Sequence, residues 1–255
     1  MLGMQPATEG AADPPLPVIE GLEGLAANED FGPRLAGLVR DLCGLRPDDR
    51  VLDVGSGIGR VARPLTRYLG PDGVYEGLDI VSEAVAWCTE NITSAHPNFR
   101  FSHTPVHNDR YNPDGVLQDS EYEFPYDDAS FDVVMLTSVF THMLPAGVLQ
   151  YVRQIARVLR PGGHALITMF LLNAESDRLR VLPASAFSFP HDRGVYAIQR
   201  VDPPETAVAY REEFVRGLFH THGLDPQIHY GSWCGRPDFL DLQDVLLSVR
   251  AETST

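Results

Sequence analysis

Residues 51–60, Val-Leu-Asp-Val-Gly-Ser-Gly-Ile-Gly-Arg, hold the spacing most suited to ligand chemistry in this chain. Asp53 is followed by glycines at positions 55, 57 and 59. Glycine has no Cβ, so a loop rich in it can turn tightly and approach a ligand closely. A helix that follows such a loop points its free N–H groups at the same ligand. The segment therefore predicts a strand, a glycine loop and a helix that bind a nucleotide-like molecule.

A second carboxylate, Asp79, stands near the end of the next apolar run, residues 73–80. A carboxylate at a strand end can accept hydrogen bonds from both hydroxyls of a ribose. The glycine spacing G-x-G-x-G differs from the dinucleotide pattern G-x-G-x-x-G, which disfavours an NAD-dependent enzyme. No Lys-Ser or Lys-Thr pair follows the glycines, so a P-loop is excluded.

Two later segments complete a family pattern. Residues 130–134 read Ser-Phe-Asp-Val-Val, and residues 159–163 read Leu-Arg-Pro-Gly-Gly. With the glycine loop and Asp79, they make the chain similar to the class I S-adenosylmethionine (SAM)-dependent methyltransferases over roughly residues 35–250. A narrower resemblance, to a bacterial subgroup of small-molecule methyltransferases, is carried by three further segments, Tyr111–Gly115, Phe124–Tyr126 and Gly231–Arg236.

The resemblance implies a fold, a cofactor and a reaction. The fold is α/β, with a Rossmann-like doubly wound seven-stranded sheet that is mostly parallel and has an antiparallel last strand. The cofactor is SAM, which leaves as S-adenosylhomocysteine. The methyl group goes to a hydroxyl or amine of a small metabolite, with a sugar or natural-product scaffold of secondary metabolism as the expected class. N- or C-methylation and a non-catalytic SAM-binding module remain the alternatives.

The expected cofactor site lies in loops beyond the carboxyl ends of the strands. The glycine loop contacts the amino-acid end of SAM, Asp53 offsets its ammonium group or instead braces the loop, and Asp79 binds the ribose. Arg60 helps to position the carboxylate or lies on the surface. The cofactor-binding residues that the resemblance implies are Asp53, Gly55, Ser56, Gly57, Arg60, Asp79, Ile80, Thr104, Val106, Thr137 and Ser138.

Pro105 departs from the family pattern. Many members have an acid at this position, which accepts a hydrogen bond from the adenine amino group. Proline offers only a carbonyl. The adenine edge must then meet Thr104, the Val106 backbone, Asn108 or a displaced Asp109.

Two histidines are candidates for a general base. His142 follows the predicted fourth strand, and a neutral imidazole can take a proton from a hydroxyl near pH 7. Alternatively, His142 only fixes its loop through a hydrogen bond. His191 lies in the predicted insertion. The pair His220 and His222 lacks a third ligand nearby, and we expect no metal site.

Charge and cysteine usage limit the partners. The net charge is −15, and all 20 basic residues are arginine. A nucleic-acid enzyme usually has a basic face, so the acidity favours a small-molecule substrate over DNA or RNA, although it also fits solubility alone. Three separated cysteines and the lack of a signal peptide or an apolar run of ~20 residues predict a cytoplasmic protein without membrane contact. A homodimer remains open.

The chain divides into residues 1–17, a flexible N-terminal arm, and residues 18–255, one methyltransferase domain with N-terminal helices. Residues 171–212 interrupt the alternation of strands and helices, so we expect a lid-like substrate-pocket insertion or, alternatively, an excursion packed on the sheet edge. Residues 205–219 read as a helix, and residues 227–231 and 242–249 as the last two strands. We expect Trp233, in the link between those strands, near the substrate mouth.

Overall fold

The computed structural model describes residues 16, 17, 19 and 30–252, so the predicted arm lies almost entirely outside the described residues. The helices are α1 (Phe31–Cys43), α2 (Ala62–Leu65), α3 (Ser82–Cys88, continued by a π-helical turn at Thr89–Thr93), α4 (Pro145–Val158), α5 (Ala174–Leu179) and α6 (Glu212–Thr221). The strands are β1 (Arg50–Val54), β2 (Val74–Asp79), β3 (Phe99–His103), β4 (Phe131–Leu136), β5 (Leu159–Leu172), β6 (His191–Asp192), β7 (Tyr196–Ile198), β8 (Val208–Arg211), β9 (Leu224–His229) and β10 (Asp244–Arg250). Two 3₁₀ turns are Phe140–His142 and Pro204–Thr206.

Seven strands form the central sheet in the order β3-β2-β1-β4-β5-β10-β9. Parallel ladders join β3 through β5, and β10 runs antiparallel to both β5 and β9. The central strands are almost wholly buried because helices cover both faces, as in other parallel sheets. The predicted Rossmann-like sheet with an antiparallel last strand is confirmed.

Three further strands extend this sheet. The last residues of β5, Phe170–Leu172, leave β10 and pair in parallel with β8, which continues through antiparallel β7 to β6. The sequence did not predict these strands. The insertion at residues 171–212 therefore builds a sheet extension that starts from the end of β5.

The predicted helix at residues 205–219 is wrong in its first half. Residues 208–211 form β8, and α6 begins only at Glu212. Val208, Ala209 and Tyr210 are all buried in succession. A strand that is covered on both faces buries consecutive side chains, whereas a surface helix buries only one face.

Trp233 belongs to the core and not to a substrate mouth. Its indole packs edge-on against Phe170 and Phe189, and its Nε1–H donates to Asp244 at 2.7 Å. Asp244 is fully buried and also pairs with Arg236. This cluster packs the insertion against β5 and β10.

The point where strand order reverses lies between β1 and β4, and in such sheets ligands bind beyond the carboxyl ends there. Helix α1 packs at that end, because a Cβ on Gly32 would lie 2.1 Å from the carbonyl oxygen of Arg60. Among the described residues, no helix combines the length and the apolar character needed to cross a membrane.

Candidate functional site

A cavity opens beyond the carboxyl ends of β1, β2, β3 and β4, with an empty volume of about 1150 Å³ that includes space open to solvent. The structure places every predicted cofactor-binding residue in its wall. The lining residues are Phe31, Asp53, Val54, Gly55, Ser56, Gly57, Arg60, Val61, Leu78, Asp79, Ile80, Val81, Thr104, Val106, His107, Asn108, Tyr111, Asp119, Tyr122, Thr137, Ser138, Val139, His142, Met143 and Tyr151.

Asp79 joins the glycine loop to the end of β2. Its Oδ2 accepts the N–H of Gly57 at 2.6 Å, and its Oδ1 accepts the N–H of Val81 at 2.8 Å. Burial raises the pKa of Asp79, and these backbone N–H groups oppose the shift. Each carboxylate oxygen has more than one lone pair, so Asp79 can still accept hydrogen bonds from two hydroxyls in the cavity.

Asp53 presents a buried carboxylate oxygen without a partner. The Tyr75 hydroxyl donates to Oδ2, but Oδ1 has no hydrogen bond to any described residue. Burial raises the pKa of Asp53 to about 7, although Tyr75 and Arg60 favour the ionised form. An unpaired buried acceptor is costly, and a cationic donor in the cavity would satisfy it.

The glycine loop adopts a backbone that other residues resist. Gly55, Gly57 and Gly59 have φ values of 83°, 53° and 70°. A Cβ on Gly55 would lie 2.4 Å from Cγ2 of Val139, which follows β4. The loop is thus shaped by close packing as well as by its positive φ angles, and its backbone faces the cavity.

Arg60 lies at the same end of the cavity and stacks on Phe31, with its guanidinium carbon 3.9 Å from the ring centroid. Burial lowers the pKa of Arg60 to about 10, and the charge of Asp53 opposes this. Phe31 places the start of α1 against the cavity. The sequence did not single out this residue.

Ser138 has a positive φ of 62°, which is unusual for a residue with a side chain. Its N–H donates to Oγ1 of Thr168 at 2.8 Å, and its hydroxyl donates to Oε1 of Gln243 at 3.1 Å. Thr168 also donates to that oxygen at 2.7 Å. The loop after β4 is therefore held in a strained conformation by β5 and by the residue that precedes β10.

The loop after β3 shows how Pro105 is accommodated. Its carbonyl accepts the N–H groups of Val116 and Leu117, so it is engaged within the loop. Of the predicted replacements for the missing acid, Thr104, Val106 and Asn108 line the cavity. Asp109 is not in the wall, and its carboxylate pairs with His107 at 3.4 Å.

His142 has a defined tautomer. Its Nδ1 lies 2.8 Å from the carbonyl oxygen of Glu205, and a carbonyl can only accept, so Nδ1 carries the proton. Nε2 then holds a lone pair and lies 3.4 Å from the Tyr111 hydroxyl. Burial lowers the pKa of His142 to about 4, so the ring is neutral near pH 7.

His191 is not brought to this site. It is half-buried on β6, where it pairs with Ile198, and it does not line the cavity. Nor does any other residue of the 171–212 insertion line the cavity. Two groups of the insertion instead hold residues of the cavity wall. The Glu205 carbonyl accepts a hydrogen bond from Nδ1–H of His142, and the Tyr210 hydroxyl donates to the Met143 carbonyl at 2.6 Å.

Residues 52–167 match the family model described as "Methyltransferase domain". These residues form a domain of the class I S-adenosylmethionine-dependent methyltransferase family. The cofactor of this family is SAM, and the residues present fit it. The orphaned Oδ1 of Asp53 suits an ammonium, Asp79 suits the ribose hydroxyls, and the glycine loop suits the amino-acid end.

Relatives of the chain differ in the atom that their names say they modify. The chain is 30% identical over 163 residues to the 27-O-demethylrifamycin SV methyltransferase of Amycolatopsis mediterranei, covering 61% of this chain and 53% of the relative. It is 28% identical over 158 residues to a ubiquinone/menaquinone biosynthesis C-methyltransferase of Ectopseudomonas mendocina, covering 58% of this chain and 52% of the relative. The chain thus spans about half the length of these two relatives.

A solved structure shows the same fold at low identity. The 1,6-didemethyltoxoflavin-N1-methyltransferase of Burkholderia thailandensis superposes with a TM-score of 0.54 at 16% identity, covering 92% of this chain and 84% of that one. That structure contains 1,6-didemethyltoxoflavin and S-adenosylhomocysteine.

The cavity wall beside His142 includes residues that the sequence did not single out as a site. Asp119, Tyr122, Met143 and Tyr151 line it together with Tyr111. Tyr111 belongs to the Tyr-Asn-Pro segment that carried the subgroup resemblance, and this was the only signal for any of them. The other side chains come from separate loops and from α4, so only the fold brings them together.

Proposed function

We propose that this methyltransferase transfers the methyl group of SAM to a hydroxyl or amine of a small molecule. One observation supports the proposal above all. A single cavity combines the complete predicted cofactor set with a neutral histidine whose unprotonated nitrogen lies in the same wall.

When bound, SAM supplies an electrophilic methyl group on a sulfonium. The chain's residues hold and orient the reactants, which is the main requirement for an in-line transfer. Asp79 binds the ribose, and Asp53 receives the ammonium on Oδ1. For an oxygen nucleophile, Nε2 of His142 would accept the proton that the hydroxyl loses when it takes the methyl group.

The Glu205 carbonyl prepares His142 for this role. It accepts a hydrogen bond from Nδ1–H, with 2.8 Å between nitrogen and oxygen, and so leaves Nε2 as the basic nitrogen that faces the cavity. It also stabilises the protonated ring after transfer, because the Nδ1–H···O bond strengthens with charge. The low pKa of about 4 keeps the base unprotonated at neutral pH, at the cost of basicity.

A small acceptor is supported by the recessed cavity and by the net charge of −15. Relatives named for rifamycin and for quinones act on small molecules by name, whereas one zebrafish relative is named for tRNA. We propose a sugar or natural-product scaffold as the acceptor class. The homodimer and the cytoplasmic location stay predictions.

The direct test is the release of S-adenosylhomocysteine from SAM by the purified protein with a panel of hydroxylated and aminated metabolites. We expect release with at least one acceptor and little without any. Cofactor binding without release across a broad panel would instead support the non-catalytic module. If neither SAM nor S-adenosylhomocysteine binds, the proposed function is wrong.

A further inference from the structure

The part of the cavity wall beside His142 and Met143 carries one carboxylate among aromatic rings. Asp119 lines it with Tyr111, Tyr122 and Tyr151, and the rings of Tyr122 and Tyr151 lie 6.3 Å apart. A Cβ on Gly147, in the first turn of α4, would lie 2.0 Å from Oδ2 of Asp119 and 2.8 Å from Cε of Met143. Asp119 therefore lies beside Met143, the residue that follows His142.

Asp119 has no cationic partner among the described residues. It forms no ion pair with another described residue, and His107, whose charge acts on it, lies 3.4 Å from the Asp109 carboxylate. The Glu205 carboxylate is also close enough to Asp119 for their charges to interact. The exposed guanidinium of Arg110 donates to the Thr206 carbonyl and lies over the Tyr111 ring, 5.0 Å from its centroid, but it forms no ion pair with Asp119. Asp119 and Glu205 thus bring two negative charges near this part of the cavity, against the one positive charge of Arg110.

The surroundings of Asp119 favour a cation. Burial raises the pKa of its carboxyl, while the Ser120 N–H and His107 oppose the shift. A half-buried carboxylate without a counter-ion gains most from a donor that is itself charged. The tyrosine rings add apolar surface and π-electron density, both of which suit an organic cation.

We propose that the methyl acceptor carries an ammonium group that pairs with Asp119, and that the cavity rejects anionic acceptors. This inference rests on the proposed function. An ammonium has no lone pair, so it serves for binding and the methyl group goes to another atom, a hydroxyl or a second, neutral nitrogen near His142. The acceptor class is therefore a metabolite with an aliphatic amino group, such as an amino sugar or a phenol with an aminoalkyl side chain.

Three phenols of similar shape test the charge preference: tyramine, 4-ethylphenol and 4-hydroxyphenylacetate. Their dissociation constants are measured by ligand-observed NMR on protein saturated with S-adenosylhomocysteine. We expect tyramine to bind roughly ten- to a hundredfold more tightly than the carboxylate, as for a hydrogen bond to a charged group. The neutral phenol should fall between them.

Two variants assign the preference to Asp119. Asp119→Asn keeps the shape and removes the charge, so the advantage of tyramine should disappear. Gly147→Ala should reduce the advantage as well, since its Cβ would displace the carboxylate oxygen. Asp114→Asn is the matched control, because it removes an exposed charge outside the cavity wall and should keep the preference.

The outcomes separate this inference from the proposed function. If S-adenosylhomocysteine binds but tyramine does not, or if the carboxylate binds as well as tyramine, the inference is wrong. A tyramine preference that survives in Asp119→Asn also contradicts it. Failure of S-adenosylhomocysteine to bind the unmodified protein contradicts the proposed function itself. The same titration on each variant shows whether its cofactor site is intact.

Discussion

At the scale of single residues, the protonation of Asp53 makes both stability and ligand binding depend on pH. Its pKa is raised from 3.8 to about 7, so the folded protein without ligand retains a proton that the unfolded chain releases in this range. The contribution of Asp53 to stability is therefore present below pH 3.8 and is lost as the pH rises through about 7. An ammonium on Oδ1 would reverse this, because it stabilises the ionised carboxylate.

Binding of S-adenosylhomocysteine should accordingly release a proton from Asp53 below about pH 7. We expect the affinity to rise between pH 6 and 8 and then level, and the heat of binding to depend on the ionisation enthalpy of the buffer. Calorimetry in two buffers measures both effects. Asp53→Asn should bind more weakly and without this pH dependence. An unmodified protein with a flat affinity profile and no proton release would show that Asp53 does not receive the ammonium.

The environment of His142 leads to a second prediction. His142→Gln should lower kcat for a hydroxyl acceptor by about 10²- to 10⁴-fold, the usual contribution of a general base, with little change in S-adenosylhomocysteine affinity. Steady-state kinetics and calorimetry check the two parts. His191→Gln is the comparison and should retain turnover, because His191 lies outside the cavity wall. If turnover is undiminished in His142→Gln, the histidine is not the general base and only fixes its loop.

At the scale of elements, the loop between β1 and α2 is determined by close packing. Gly59 has a φ of 70°, and a Cβ there would lie 2.6 Å from Cδ1 of Ile92 and 3.0 Å from Sγ of Cys88. Gly59→Ala should reduce the free energy of unfolding by about 1–3 kcal/mol through backbone strain and overpacking. Urea unfolding measures the change.

Gly37→Ala provides the control for that substitution. Gly37 lies within α1, and nothing is within 4 Å of the position that its Cβ would occupy. Alanine there should leave stability unchanged or raise it slightly, since it favours the helix and restricts the unfolded chain. Equal effects at the two positions would contradict a special role for packing at Gly59.

Local patterns made the elements around the cofactor predictable. The apolar runs, the glycine turn and the terminal acid of β2 are adjacent in sequence, so the sequence alone predicts that Asp79 stands at a strand end. The same reasoning failed at residues 208–211. Consecutive apolar residues do not distinguish a strand buried on both faces from a helix, and only pairing with β5 and β7 decides.

At the scale of the whole molecule, the insertion supports the catalytic wall from a distance in sequence. The Tyr210 hydroxyl on β8 donates to the Met143 carbonyl at 2.6 Å, and both groups are buried. Tyr210→Phe should lower the free energy of unfolding by about 1–3 kcal/mol, because the carbonyl loses its donor. It should also lower kcat more than it changes S-adenosylhomocysteine affinity, since the adjacent His142 loses support.

Tyr196→Phe is the matched comparison for Tyr210→Phe. The Tyr196 ring stacks on Tyr210 with centroids 6.2 Å apart, and none of the described residues forms a hydrogen bond with its hydroxyl. Its stability and turnover should stay close to those of the unmodified protein. Similar losses in both variants would assign the effect to ring packing and not to the hydrogen bond.

The parts of the site that the sequence did not predict depend on contacts between residues far apart in the chain. Asp119 reaches the cavity by packing on α4, Trp233 is buried by residues of β5 and the insertion, and Glu205 meets His142 across 63 positions of the chain. None of these pairings leaves a local pattern. The cofactor half of the site was thus accessible to sequence reasoning, and the acceptor half was not.

The central claim is that this cavity binds SAM through the carboxylate at the end of β2. Titration calorimetry of S-adenosylhomocysteine into the unmodified protein and into Asp79→Ala tests it most directly. We expect binding to the unmodified protein with one site per chain, and a loss of affinity of about tenfold or more in the variant, as for a hydrogen bond to a charged group. Equal affinity in the two proteins, with the variant folded, would contradict the claim.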